Sequence, residues 1–144
     1  MVLGIGEGSL EITLDKYSFA ISDTINGKIN LKLNQAKKAN SLRVEFYGEI
    51  IKRTSKGGRT TQRVHHVKAE ISGERHYQPG ESLSFSLKVP SDINYPKPQG
   101  FIATLLAKPR PQAWYVHASL NSPMQFDINK RVKVMVSDAQ GKPI

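Results

Sequence analysis

Apolar residues fall at every second position in run after run of this chain: Leu10, Ile12, Leu14; Ile29, Leu31, Leu33; Leu42, Val44, Phe46; Leu83, Phe85, Leu87, Val89; and Val132, Val134, Val136. A strand turns successive side chains to opposite faces, so a period of two buries one face and wets the other. The intervening Glu11, Thr13, Asn30, Lys32, Arg43, Glu45, Ser84, Ser86, Lys88 and Lys133 are polar, with Met135 the exception. Such alternation predicts antiparallel sheets with one solvated face. No window of helical length carries an apolar i, i+3, i+4, i+7 repeat with a cap. Only Phe101 to Ala107 is compatible with either a helical turn or a buried strand.

Turn chemistry separates the runs. Asn26-Gly27 is expected to open the second strand, and Pro79-Gly80 precedes the strand from Leu83. Lys56-Gly57-Gly58 lies between Leu42–Ser55 and Arg59–Ser72, which read as one long hairpin. Five of the eight prolines crowd into Pro90–Pro111. Their fixed φ and missing amide donors oppose regular pairing, so this stretch is a long loop crossing the sandwich or a linker between sheets. About seven strands with regularly spaced turns predict an all-β, two-sheet antiparallel sandwich of immunoglobulin-like build. At 144 residues the chain encloses one core and not two, giving a single domain over 1–144 with a flexible lead at 1–8 and a tail at 138–144. No internal repeat or low-complexity tract interrupts it.

The chemistry these residues exclude is as informative. There is no cysteine, so disulfides, thiolate metal sites and cysteine nucleophiles are ruled out. His65 and His66 are adjacent in a predicted strand and face opposite ways. With His76 and His117 elsewhere, no metal-ligand spacing emerges. His117 falls in the outward phase, opposite Val116 and Ala118, with no serine or aspartate partner at a recognisable elbow. Gly4, Gly6 and Gly8 neither follow a strand nor open a helix, as a nucleotide loop must. Trp114, in the inward phase, reads as a packing residue. No cofactor, no small-molecule substrate and no enzymatic activity are therefore expected.

Charge points toward binding. The chain carries 21 Lys and Arg against 12 Asp and Glu, a formal charge of +9, which draws it toward anionic surfaces without choosing among them. The densest cluster is Lys52, Arg53, Lys56, Arg59 and Arg63, five cations within twelve residues that hold no acid. The same cations would also serve merely to solubilise an exposed hairpin and discourage edge pairing. No Phe, Tyr or Trp is interleaved with them, so base stacking on a nucleic acid is not foreseen. The N-terminus lacks a secretory pattern and no segment nears the ~18 apolar residues that span a bilayer, so a cytoplasmic location is expected.

Four stretches in order resemble the arrestin fold family. Asp23-Thr24-Ile25-Asn26-Gly27-Lys28-Ile29 is similar to its turn and glycine before strand two, and Leu42-x-Val44-x-Phe46-x-Gly48 to its alternating run ending in glycine. Gln78 to Pro90 resembles its strand running into a proline, and Trp114-x-Val116-x-Ala118-x-Leu120 falls where the family has Tyr-x-Val-x-Ala. Ile21-Ser22 stands where the family has Pro-Gly, and Met1 to Gly8 holds no counterpart of the phosphate-sensing lysine pair. The resemblance implies one arrestin-type lobe, as in microbial arrestin-like proteins, acting as an adaptor or scaffold for a protein partner through a sheet edge and loops. Phosphate-triggered activation does not carry over. The alternative is a peripheral binder of anionic membrane lipid or nucleic acid through the basic hairpin 52–63, with Lys37, Lys38, Lys108, Arg110, Lys130 and Arg131 as accessory charges. A homodimer through an edge strand is compatible with either.

Overall fold

The computed structural model describes residues 8–95, 99–106, 109–122 and 127–144. In chain order the elements are β1 (Gly8–Leu14), β2 (Ser18–Ala20), β3 (Thr24–Leu33), β4 (Lys37–Ala39), β5 (Ser41–Arg53), β6 (Arg59–Ser72), β7 (Arg75–Tyr77), β8 (Ser82–Lys88), α1 (Phe101–Leu106), β9 (Ala113–Asn121) and β10 (Ile128–Ser137). One sheet has the order β1-β3-β8, the other β2-β10-β9-β5-β6, and β4 with β7 forms a small separate pair. Every pairing is antiparallel except the short one between β2 and β10. This is an all-β sandwich, as the alternation requires.

The two inner faces meet in one core. Leu10, Ile12, Leu14, Ile29, Leu31, Phe85 and Leu87 come from the three-stranded sheet; Val44, Phe46, Trp114, Val116, Ala118, Leu120, Val134 and Val136 come from the five-stranded one. Of the residues picked out by periodicity, only Leu83 and Val132 are less than fully buried, and both still pack against the core. Burying apolar area at ~25 cal/mol per Å² is what holds the sheets face to face.

Two expectations need correction. Asn26-Gly27 is not a turn: Gly27 lies within β3, aligned with Leu14 on one side and Phe85 on the other. A Cβ there would stand 2.7 Å from the Phe85 ring and 2.8 Å from a Leu14 methyl, so close packing, not a turn, demands the glycine. The chain reverses earlier, at Ser22 with φ 69°, where Asp23 Oδ2 accepts from the Ala20 amide at 2.8 Å. The expected tail at 138–144 instead doubles back: the Asp138 amide donates to Lys142 O, and Ile144 N donates to Val136 O at 2.9 Å. The flexible lead lies outside the described residues apart from Gly8, which opens β1.

Candidate functional site

β5 is paired on both sides only from Leu42 to Glu49, where β9 begins at Ala113. Beyond that point it runs on to Arg53 with β6 as its only neighbouring strand among the described residues. Gln112 closes off the interior ladder, its amide donating to Glu49 O and its side-chain oxygen accepting from Ile51 N, both at 2.9 Å. The outer part of the hairpin is thus a two-stranded ribbon projecting past the sandwich, exposed from Ile51 to Arg63. Its tip is locked by Thr54: the hydroxyl accepts from Gly58 N at 3.0 Å, while Gly57 takes φ 82°, a conformation glycine adopts freely.

The five predicted cations do not form one cluster. Arg53 and Arg59 lie directly opposite each other, and Lys52 lies opposite Thr60 in the alternate phase. Lys56 is exposed at the tip. Among the described residues, Lys52, Arg53, Lys56 and Arg59 have no acidic partner. Arg63 is drawn away: its guanidinium sits over the Tyr47 ring at 4.2 Å and reaches Glu45 at 3.6 Å. Two like charges face to face on a ribbon repel, and an anion between them relieves that repulsion.

Arg63 belongs to a network on the outer face of the five-stranded sheet that sequence reasoning missed. Tyr47 points outward yet is 0% exposed. Arg63, His66, Tyr115 and His117 surround its ring, while Arg131 Nη1 donates to its hydroxyl at 3.4 Å. Arg131 also stacks on Tyr115 at 3.9 Å and binds Glu49 at 2.9 Å. The Tyr47 hydroxyl above all, then Glu49, pushes the Arg131 pKa well above its usual value. Glu45 in turn faces Arg63, His66, Lys68 and His117. The recoverable signal was Glu45-x-Tyr47-x-Glu49 in the outward phase of a central strand, where aromatic and charged residues meet cross-strand neighbours.

The histidines do face opposite ways, through a bulge. Phe46 pairs with Val67 and Gly48 with Val64, leaving His65 and His66 together opposite Tyr47. His65, at φ 53°, turns toward Trp114 and bonds the Tyr95 hydroxyl at 2.8 Å; burial raises the Tyr95 pKa. His66 goes to Glu45 on the outer face. His117 is in the outward phase as expected, but its side chain is only 15% exposed, covered by the network. Trp114 is buried and stacks on Phe46. Of the accessory cations, Lys37 is buried, Lys38 faces Glu74, Arg131 is held in the network, and Arg110 donates to Tyr95 O at 2.7 Å. Lys130 is exposed, while Lys108 lies outside the described residues. Among the described residues no group of three or more His, Asp or Glu side chains is arranged to hold a metal ion, and no helix is long and apolar enough to cross a membrane.

No family model and no curated protein matches the chain. Its fold, however, is that of a solved structure: Spo0M, a sporulation control protein from Bacillus subtilis, superposes with a TM-score of 0.67 at 15% identity over 92% of this chain. The chain spans half the length of that protein (50%). A β-glucosidase from Listeria innocua in complex with gluconolactone overlaps at a TM-score of 0.34 and 13% identity, covering 90% of this chain and 16% of the enzyme, too little to carry an argument. The likeness to Spo0M supports an arrestin-like sandwich and leaves the family unassigned.

Proposed function

We propose that this domain is a non-enzymatic adaptor that binds an extended, acidic segment of a partner protein along the free edge of β6, beside the basic ribbon. The carrying observation is β6 itself. It runs 14 residues at the end of its sheet, hydrogen-bonded to β5 on one side, so its other side offers backbone groups for strand addition. From Lys52 through Ala69 the hairpin holds no acid. A second copy adding at this edge would bring cations against cations. An acidic strand meets no such penalty. The likeness to Spo0M, a sporulation control protein, is in keeping with a regulatory or adaptor role.

A second reading, electrostatic binding to a phosphate-bearing surface of lipid or nucleic acid, is favoured by the four unpartnered cations of the ribbon. Salt separates the two, because affinity that rests on counterion release falls steeply with ionic strength. The immobilised domain, beside a variant with Lys52, Arg53, Lys56 and Arg59 changed to Glu, is exposed to nuclease-treated native lysate at low and moderate salt. A discrete protein with an acidic segment, retained at moderate salt by the wild type and lost by the variant, is the expected result. Recovery of lipid or nucleic acid alone, released by modest salt, would sink the adaptor reading.

A further inference from the structure

Six large apolar side chains stand exposed among the described residues, and three of them belong to the single turn of α1: Phe101 at 79%, Ile102 at 71% and Leu105 at 67%. At positions i, i+1 and i+4 they share one face of the helix. Leaving such a patch in water is unfavourable, and clustered exposure of this kind marks an interaction surface.

The loop bearing α1 is fastened at the root of the basic ribbon. At its entry the Tyr95 hydroxyl bonds His65 of β6; at its exit Arg110 donates to Tyr95 O, joining the two feet, and Gln112 is bonded to Glu49 and Ile51 of β5. Because β5 outruns β9 at this point, loop and ribbon leave the sandwich at the same end. That end presents Lys52, Arg53, Lys56 and Arg59 without acidic partners. Asp138, which lines a cavity with Tyr95 and Arg110, is engaged by the Gln140 and Lys142 amides, and Glu49 beside Gln112 is engaged by Arg131.

An apolar face beside unpaired cations is the chemistry that enters an anionic lipid surface, where hydrocarbon insertion and attraction to headgroups add. We propose that this end of the sandwich docks on an anionic bilayer, with Phe101, Ile102 and Leu105 inserted at the headgroup–acyl boundary and the ribbon cations against lipid phosphates. Its cationic half rests on the phosphate-surface reading above; its apolar half goes beyond it. Nucleic acid satisfies the cations but has no use for the three exposed hydrocarbons.

The full chain is sedimented with phosphatidylcholine vesicles with and without phosphatidylserine, alongside two variants: F101S/I102S/L105S, which alters only exposed side chains, and K52E/R53E/K56E/R59E. Far-ultraviolet circular dichroism verifies that both remain folded. The wild type should bind only the phosphatidylserine vesicles, the charge variant should lose that binding, and the apolar variant should weaken it about tenfold or more. Unchanged binding by the apolar variant would overturn the inference while leaving the electrostatic reading intact. Failure of the wild type to bind either vesicle, with salt-sensitive retention of duplex DNA instead, would overturn it in favour of nucleic acid.

Discussion

Gly48→Ala is the sharpest test of how the sandwich holds the α1 loop against the ribbon. Gly48 lies in the inward phase of β5, and a Cβ on it would stand 2.8 Å from Pro111 Cγ, 2.8 Å from Trp114 Cζ3 and 2.9 Å from Trp114 Cε3. Carbon pairs are comfortable near 3.5–4.0 Å, so all three contacts fall short by more than half an ångström. The indole has little room to yield: it is 3% exposed and stacked on Phe46 at 5.6 Å and 12°. Overpacking of this kind costs about 1–3 kcal/mol, offset in part by the ~0.4–1 kcal/mol gained when alanine stiffens the unfolded chain. A net loss of about 1–2 kcal/mol lowers the melting temperature of a domain this size by about 3–8 °C. Thermal melts and urea titrations followed by far-ultraviolet circular dichroism measure it, since Trp114 is the sole tryptophan and is altered in the partner variant. That variant, Trp114→Leu, is destabilised alone but should couple favourably with Gly48→Ala, the double losing at least ~1 kcal/mol less than the sum. A Gly48→Ala protein as stable as wild type, or strict additivity in the cycle, would refute the close-packing argument.

Other consequences follow from the same geometry. Arg53→Glu replaces a like-charge pair with Arg59 by an opposite one, so it should stabilise the fold by about 0.2–1 kcal/mol in urea titration while weakening anion binding. Tyr47→Phe removes the hydroxyl shared by Arg131 and His117 and should cost about 1 kcal/mol, with Arg131 still held by Glu49. The carboxyl of Glu81 is held below its usual range first by Arg75 and then by the Gln78 amide. A depressed carboxyl stabilises the fold above its unfolded pKa, near the ordinary 4.5, and that contribution is lost as pH falls through the lower folded value. Glu81→Gln should therefore be less stable than wild type at neutral pH, by up to about 1 kcal/mol for so exposed a pair, with the gap closing as the pH falls below 4.5 and through the lower folded value.

Much of the fold was legible because inward residues announce themselves by period. Leu10 to Leu14 and Leu42 to Phe46 read as strands, and so they are. Gly27 misled because a glycine after asparagine has the chemistry of a turn, while its true reason, the Phe85 ring and Leu14 methyl from neighbouring strands, is a contact between residues far apart in sequence. The Asp138–Ile144 return was hidden for a related cause: it depends on a backbone bond to Val136, which composition does not reveal. At the site, the basic hairpin was visible as a charge run. That Arg63 leaves it for Tyr47 and Glu45 was not, since only the register brings Glu45, His66, His117 and Arg131 around one ring. The exposed face of α1 escaped because an apolar run looks the same whether it ends buried or bare.

The adaptor reading is tested most directly by hydrogen exchange on the domain alone and saturated with the captured partner. The account predicts slowed exchange at β6 amides between Arg59 and Ser72, with weaker protection on the ribbon and none on the edges formed by β1, β2 and β8. Protection confined to one of those other edges, with β6 exchanging as in the free domain, would contradict it.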